Sequence, residues 1–257
     1  MPPRHAIRDE DWDRIKDRLP GRAGSRGAPA RDNRRFIDAI LWVAKTGAPW
    51  RDLPEYFGKW NTIWRRFDRW ARKGIWQKLF GDFQDPDLEW LVLDSTVVRA
   101  HPHAAGARKS CGGQDAQSLG RSRGGFGTKV HAAVSGLLLP VALLLSPGQE
   151  ADVSHAKSLL AGVPAGSEVK AVIADKGYDS KAVVEAIQAM GAEAVIPSLS
   201  TRKEQRDYDK DRYKDRNLVE RFWHKVKQFR RVATRYEKTG RNFLAFVQVA
   251  SLMVLLR

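Results

Sequence analysis

Residues 89–98 read Glu89-Trp90-Leu91-Val92-Leu93-Asp94-Ser95-Thr96-Val97-Val98. The apolar run Leu91-Val92-Leu93 is a short strand that ends in a carboxylate. An apolar run this short is a buried strand bounded by polar residues. Further along, residues 129–134 and 137–145 read as two strands joined by a tight turn at Ser135-Gly136. Residues 153–160 are helical. Residues 169–174 form a second apolar strand ending in a carboxylate, Asp175. Residues 180–190 form a helix stopped by Gly191, and residues 194–196 a strand stopped by Pro197. A polar stretch then leads into a long helix over 216–231 and a last helix over 242–256.

The order is therefore three strands, then helix, strand, helix, strand, helix. It describes a mixed sheet with flanking helices, and it matches the ribonuclease-H-like α/β fold. In open α/β sheets ligands gather at the carboxyl ends of strands. A partly buried carboxylate there is costly unless a cation or hydrogen bonds hold it. A lone Asp at a strand end is commonly a turn former; Asp94 and Asp175 at two equivalent ends raise the idea of a metal site.

A third carboxylate comes from the helix over 216–231. At about 100° per residue, Tyr213, Arg216, Glu220 and Lys227 fall in one stripe roughly 60° wide, provided the helix starts early enough to include Tyr213. Leu218, Phe222, Val226 and Phe229 fall on the opposite side. Periodicity alone leaves an ordinary amphipathic helix with a solvated charged face open as the plainer reading.

Composition sets the frame. The chain has 257 residues, 45 Lys+Arg against 30 Asp+Glu, and a formal charge of +15. Such a basic balance points to a polyanion, with nucleic acid favoured over a membrane surface. One cysteine, Cys111, excludes an intramolecular disulfide framework. His101, His103, Cys111 and His131 match no zinc-site spacing. The longest apolar run, residues 243–256, is interrupted by Gln248 and Ser251 and falls short of the roughly 20 residues a membrane span needs; it reads as a buried helix. No secretory signal is legible at the N-terminus, so the expected setting is the cytoplasm.

The first ninety residues hold eight of the nine tryptophans. Helical patterns cover residues 9–19, 32–45 and 61–73, with Asp32 as N-cap and Gly74 as a stop. Two domains are expected: a small all-α domain over 1–88 and the α/β domain over 89–257. A helix-turn-helix is one possibility for the first, because its helices carry Arg34, Arg35, Arg65, Arg66, Arg69 and Arg72; arginines that only solvate an outer face are the other. The tryptophans read as core. Arg108, Lys109, Arg121, Arg123 and Lys129 read as phosphate contacts. Residues 201–241 hold fifteen Lys/Arg and seven Asp/Glu, a density suited to a DNA-facing surface.

The string Tyr213-x2-Arg216-x3-Glu220-x6-Lys227 resembles the Y-R-E-K signature of bacterial insertion-sequence DDE transposases. Residues 91–107 (LVLDSTVVRAHPHAAGA), 120–132 (GRSRGGFGTKVHA) and 172–180 (VIADKGYDS) are similar to the corresponding segments of the insertion-sequence-5 family. Residues 46–70 resemble that family's first domain. The resemblance implies a metal-binding triad of Asp94, Asp175 and Glu220 that holds two Mg²⁺ or Mn²⁺ ions, with Asp94 bridging. It implies that Tyr213, Arg216 and Lys227 position DNA at the scissile bond. It implies binding to terminal inverted repeats and target DNA, and a homodimer on DNA. A non-catalytic DNA-binding descendant and a ribonuclease-H-like nuclease are the rival functions.

Overall fold

The computed structural model describes residues 4–22, 29–84, 88–107 and 115–257. Arg108, Lys109 and Cys111 lie outside the described residues. Two compact units divide the chain: Met1–Phe83 with Val226–Thr234 and Arg241–Arg257, and Gln84–Lys225 with Arg235–Gly240.

The first unit begins with helices α1 (Asp9–Ile15), α2 (Asn33–Thr46), α3 (Trp60–Arg72) and α4 (Ile75–Gly81). Asp32 caps α2: its carboxylate accepts the Arg35 N–H at 2.8 Å, satisfying one of the orphan donors of the first turn. Gly47 ends the helix at φ 70°, a conformation that costs other residues a Cβ clash. The expected helix over 9–19 is α-helical only to Ile15 and tightens to a 3-10 turn over Lys16–Arg18. The short α4, after Gly74, was not legible in the sequence. Residues 47–59 separate α2 from α3 and wind through two 3-10 turns started by Pro49 and Pro54. That connector is far longer than the three or four residues that join the helices of a helix-turn-helix, so α2 and α3 are not such a pair.

The expectation that the tryptophans are core holds for Trp70 and Trp76, whereas Trp12, Trp42, Trp50, Trp60, Trp64 and Trp90 are only half-buried. Trp70 and Trp76 are each 3% exposed. Phe36 meets Trp70 edge-on at 4.9 Å, and Trp70 lies 5.1 Å from Trp76.

The second unit holds strands β1 (Trp90–Ala100), β2 (Gly120–Ser122), β3 (Gly125–Ser135) and β4 (Pro140–Pro147). Helix α5 (Ala156–Leu160), β5 (Ala171–Ala174), α6 (Lys181–Ala189), β6 (Glu193–Val195), α7 (Lys210–Tyr213) and α8 (Asn217–Lys227) follow. The chain ends with α9 (Arg230–Ala233), β7 (Thr234–Arg235) and α10 (Gly240–Leu255). β1 runs antiparallel to β3 and parallel to β5; β5 runs parallel to β6. β2 and β4 share the far edge of β3. The order β4-β3-β1-β5-β6, three antiparallel strands continued by two parallel ones, is the ribonuclease-H-like arrangement. β7 joins the sheet through Arg235, whose carbonyl accepts the His101 N–H at 2.9 Å.

The central strands carry continuous apolar runs because both faces are covered: Leu91, Val92, Leu93 and all four residues of β5 are fully buried. β1 runs well past its apolar start, since pairing with β3 continues to Arg99. β4 begins at Pro140, three residues later than expected, because Leu138 takes φ 66° in the preceding turn. The polar stretch after β6 is tied down by Asp179. Its buried carboxylate accepts from Leu199 N at 2.7 Å and Arg202 Nε at 2.6 Å, and pairs with Arg206.

The helix expected over 216–231 is broken. α8 stops at Lys227 and Phe229 is extended at φ −85°, ψ 102°. Phe229 is buried, with the Lys45 ammonium 3.5 Å from its ring centre. The last helix, α10, is buried on nearly every side. Phe246 stands 4.5 Å from Phe67 and 5.9 Å from Trp50, which groups α10 with the N-terminal helices rather than with the 89–257 segment. No described helix is long and apolar enough to cross a membrane.

Candidate active site

Asp94 and Asp175 owe their positions to strand register. In the parallel pair, Leu93 stands beside Ala174, so Asp94 and Asp175 are the next residues on two neighbouring strands. Adjacent strands run about 4.8 Å apart. The Asp175 carboxylate accepts the Gly177 N–H at 2.7 Å and caps the 3-10 turn that follows. Asp94 lies deeper, its side chain 17% exposed. Burial pushes its carboxyl above the usual range, and the charge of Asp175 adds to the rise. Hydrogen bonds from Trp223 and the Ser95 N–H, with the charge of Arg216, oppose it.

Helix α8 brings the third carboxylate. Its inner face is Val219, Phe222, Trp223 and Val226, all buried; Leu218, expected on that face, is only half-buried and Val219 takes its place. Arg216, in the 3-10 turn that opens into α8, reaches both ways. Its Nη2 donates to Glu220 Oε1 at 3.1 Å, and its Nη1 lies 3.8 Å from Asp94 Oδ1. One guanidinium thus spans two carboxylates of the expected triad.

Trp223 was missed in the sequence. Its indole Nε1 donates to Asp94 Oδ2 at 2.9 Å. A signal existed: on the helical wheel Trp223 falls about 20° from Arg216. Nothing local distinguishes a buried indole that donates from one that only packs.

Tyr213 ends α7, and the 3-10 turn Lys214–Arg216 separates it from α8. It is half-buried and packs edge-on to Tyr208 at 5.5 Å. Burial raises its phenol pKa, Arg216 opposes and Asp175 adds, which ties it electrostatically to the same site. Lys227 is the exposed last residue of α8, about two turns past Glu220.

The loop cations are placed differently from one another. Arg121 and Arg123 are exposed at the β2–β3 hairpin, Arg121 with its guanidinium 5.7 Å from the Phe126 ring centre. Lys129 turns inward. Its ammonium sits 2.9 Å from Asp152 Oδ1 and donates to the Glu150 carbonyl at 2.6 Å, leaving the side chain 12% exposed. Asp152 also accepts from Ser95 Oγ at 2.7 Å, so this buried pair braces the residue that follows Asp94. His131 is fully buried beside it. Burial first, then the charges of His155 and Lys129, lower its pKa to about 4 against the pull of Asp152. His101 meets His103 edge-on at 4.5 Å and stacks on Tyr236 at 5.2 Å, and among the described residues no group of three His, Cys, Asp or Glu is placed to hold a metal ion.

Residues 7–80 match the family described as "Putative transposase of IS4/5 family", and residues 85–255, well over half the chain, match the family "Transposase DDE domain". A "Putative transposase for insertion sequence element IS6501" of Brucella ovis is 38% identical over 131 residues, 51% of this chain and 98% of the relative. An "Uncharacterized protein y4sN" of Sinorhizobium fredii is 45% identical over 109 residues, 42% of this chain and 87% of the relative. Among solved structures, a piggyBac transposase synaptic complex with hairpin DNA is similar over 75% of this chain, with a TM-score of 0.40 and 12% identity; this chain spans 48% of that one. A Mos1 transposase paired-end complex with left transposon end covers 93% of this chain and 82% of its own, with a TM-score of 0.29 and 12% identity.

Proposed function

This chain belongs to the transposase DDE domain family, and from that premise we propose that it is an insertion-sequence transposase. It binds its element's terminal inverted repeats, hydrolyses a strand at each end and joins the freed 3′-hydroxyl to target DNA. One observation supports the reading above the others: Asp94, within β1, and Asp175, directly after β5, lie side by side in matched parallel register, and Arg216 links Asp94 to Glu220.

By its chemistry the donor set would suit two divalent ions of the Mg²⁺ or Mn²⁺ kind, although the three carboxylates are not gathered into a metal site in this structure. All three donors are carboxylates, whose hard oxygens such ions favour. Burial raises the pKa of Asp94 despite Trp223, the Ser95 N–H and Arg216, and a cation beside it would oppose that rise. Asp94, Asp175 and Glu220 would hold the ions, which supply charge stabilisation at the attacking and leaving oxygens and a more acidic bound water.

The chain's own side chains do the positioning. The Trp223 N–H fixes Asp94 Oδ2 and so sets the plane of that carboxylate. Arg216 neutralises Asp94 and Glu220 until their charge is met otherwise. Its forked donors then suit a bidentate phosphate contact. Lys227 offers a point charge further along α8, and Tyr213 a ring and a hydroxyl for the nucleotide next to the scissile bond. Two ends brought together imply a homodimer on DNA.

Incubating the full chain with end-bearing duplex, Mg²⁺ and supercoiled target tests this. Strand transfer is expected, and Asp94→Asn, Asp175→Asn and Glu220→Gln should each abolish cleavage while retaining duplex binding. Arg216→Lys, which loses the fork, and Lys227→Ala should bind metal yet cut at least 100-fold more slowly, the scale of a small misplacement. Selective duplex binding without any cut product would leave a non-catalytic DNA-binding protein. Cleavage of RNA hybrids in preference to element ends would leave a nuclease.

A further inference from the structure

The structure sorts the six arginines of the N-terminal helices into two kinds. Arg34, Arg35 and Arg72 pair with Asp9, Asp32 and Asp68. Arg65, Arg66 and Arg69 have no carboxylate partner among the described residues. Arg66, Arg69 and Lys73 are spaced by three and four residues, so they share one stripe of α3 and its last turn, about 60° wide. Together they line a cleft of about 360 Å³, with Trp70, Ile75 and Pro29 among its walls and no acidic residue.

We propose that this cleft is a binding site for the phosphate backbone of double-stranded DNA, with Arg66 as its seat and Arg69 and Lys73 as its rim. The proposal rests on the DNA-binding part of the function given above and names the surface that does it within the first unit.

Three observations carry it. Arg66 is half-buried, its guanidinium 4.1 Å from the Phe36 ring centre and 4.8 Å from that of Trp70, with one nitrogen on Asn33 Oδ1. Those contacts hold the group in place without a carboxylate ion pair among the described residues. Burial first, then the nearby charge of Arg69, lower its pKa to about 10 against the weaker pull of Asp32, so a further anion beside it would be favoured. Finally, an apolar-walled cleft lined by one sign of charge focuses its field outward.

The chemistry favours a charged strand over a single small ion. Arg66 and Lys73 stand about 10 Å apart along the helix axis, a line of cations suited to successive phosphates. Trp70 is 3% exposed, so no open ring face is offered to a base. The site therefore grips the backbone and reads no sequence, as phosphate contacts in general do.

The test uses the full chain and two duplexes of equal length, one carrying the element end and one of scrambled sequence, with Kd measured from 0.05 to 0.3 M salt. Arg69→Gln with Lys73→Gln, both exposed, removes two contacts without touching the core. It should weaken both duplexes by the same factor, about 10- to 50-fold at 0.1 M salt, and lower the log–log salt slope by about 2. Arg66→Met should weaken both further if the chain folds. Arg72→Gln, which removes one charge from the same helix but from a paired residue, should leave the slope unchanged. An unchanged slope in the double variant, or an equal fall in Arg72→Gln, overturns the site. Saturable stabilisation by millimolar inorganic phosphate with no change in duplex slope makes it a free-anion site and overturns the DNA assignment. Because binding is read without cleavage, a chain that binds through this cleft but never cuts sinks the transposase reading alone.

Discussion

Replacing Trp223 by Phe tests one hydrogen bond at the centre of the site. Phenylalanine keeps one aromatic ring where Trp223 is 7% exposed and packed 5.0 Å from Phe222, and removes the Nε1 donor to Asp94 Oδ2 at 2.9 Å together with the second ring of the indole. A hydrogen bond to an ionised group contributes about 1.5–3 kcal/mol. The Asp94 side chain is 17% exposed, so water replaces part of what is lost, and the lower figure applies. About 1.5 kcal/mol is roughly a 10-fold factor. It should fall on whatever needs Asp94 ionised and held in one plane, because losing a donor to the charged form pushes a carboxyl already raised by burial higher still. Mn²⁺ binding followed by electron paramagnetic resonance, beside single-turnover cleavage at rising Mn²⁺, reads the effect. Half-saturation should move up about 10-fold in both, with cleavage largely recovered at high Mn²⁺. An unchanged metal requirement with a lowered melting temperature would make Trp223 a packing residue and refute the reasoning.

Three further outcomes follow from the same geometry. Asp94→Asn should melt higher than wild type near pH 7: a carboxyl whose folded pKa is raised by burial destabilises the fold once ionised, so the variant's advantage should shrink as the pH falls towards the ordinary carboxylate value of 3.8. His131 is neutral in the folded chain down to about pH 4 and titrates near 6.5 when unfolded. Stability should therefore be full above 6.5 and fall through that window by up to roughly 3 kcal/mol, a loss that His131→Gln should flatten in urea titrations. Asp68, 8% exposed, pairs with Arg72 and Arg241 and accepts from Asn242 at 3.1 Å. Asp68→Ala removes two ion pairs to exposed arginines and the Asn242 hydrogen bond and should cost about 1 kcal/mol, seen as a lower urea midpoint with the denaturant slope unchanged.

Much of this molecule is written in short stretches of its chain. Leu91-Val92-Leu93-Asp94 and the apolar run before Asp175 specify two buried apolar runs with a carboxylate directly after each, because period and polarity act over a few residues; the expected strand end at Asp94 is overturned, since pairing with β3 carries β1 on to Ala100. Asp32 and Gly47 bound α2 for the same local reason: one accepts a first-turn N–H, the other takes the positive φ. The stripe of Arg216, Glu220 and Lys227 is likewise a property of helical geometry. What the chain order could not decide is which distant group each of these meets. Asp94 meets Trp223, 129 residues away; Lys129, which reads as a phosphate contact, meets Asp152; α10 meets Phe67 rather than the sheet segment it follows. The expected helix over 216–231 breaks before Phe229 although its apolar period continues. Local sequence sets torsions and which face is apolar, whereas the partner of a buried donor or ring is set by which surfaces close together when the whole core excludes water. That choice is made across the fold, and only the tertiary structure records it.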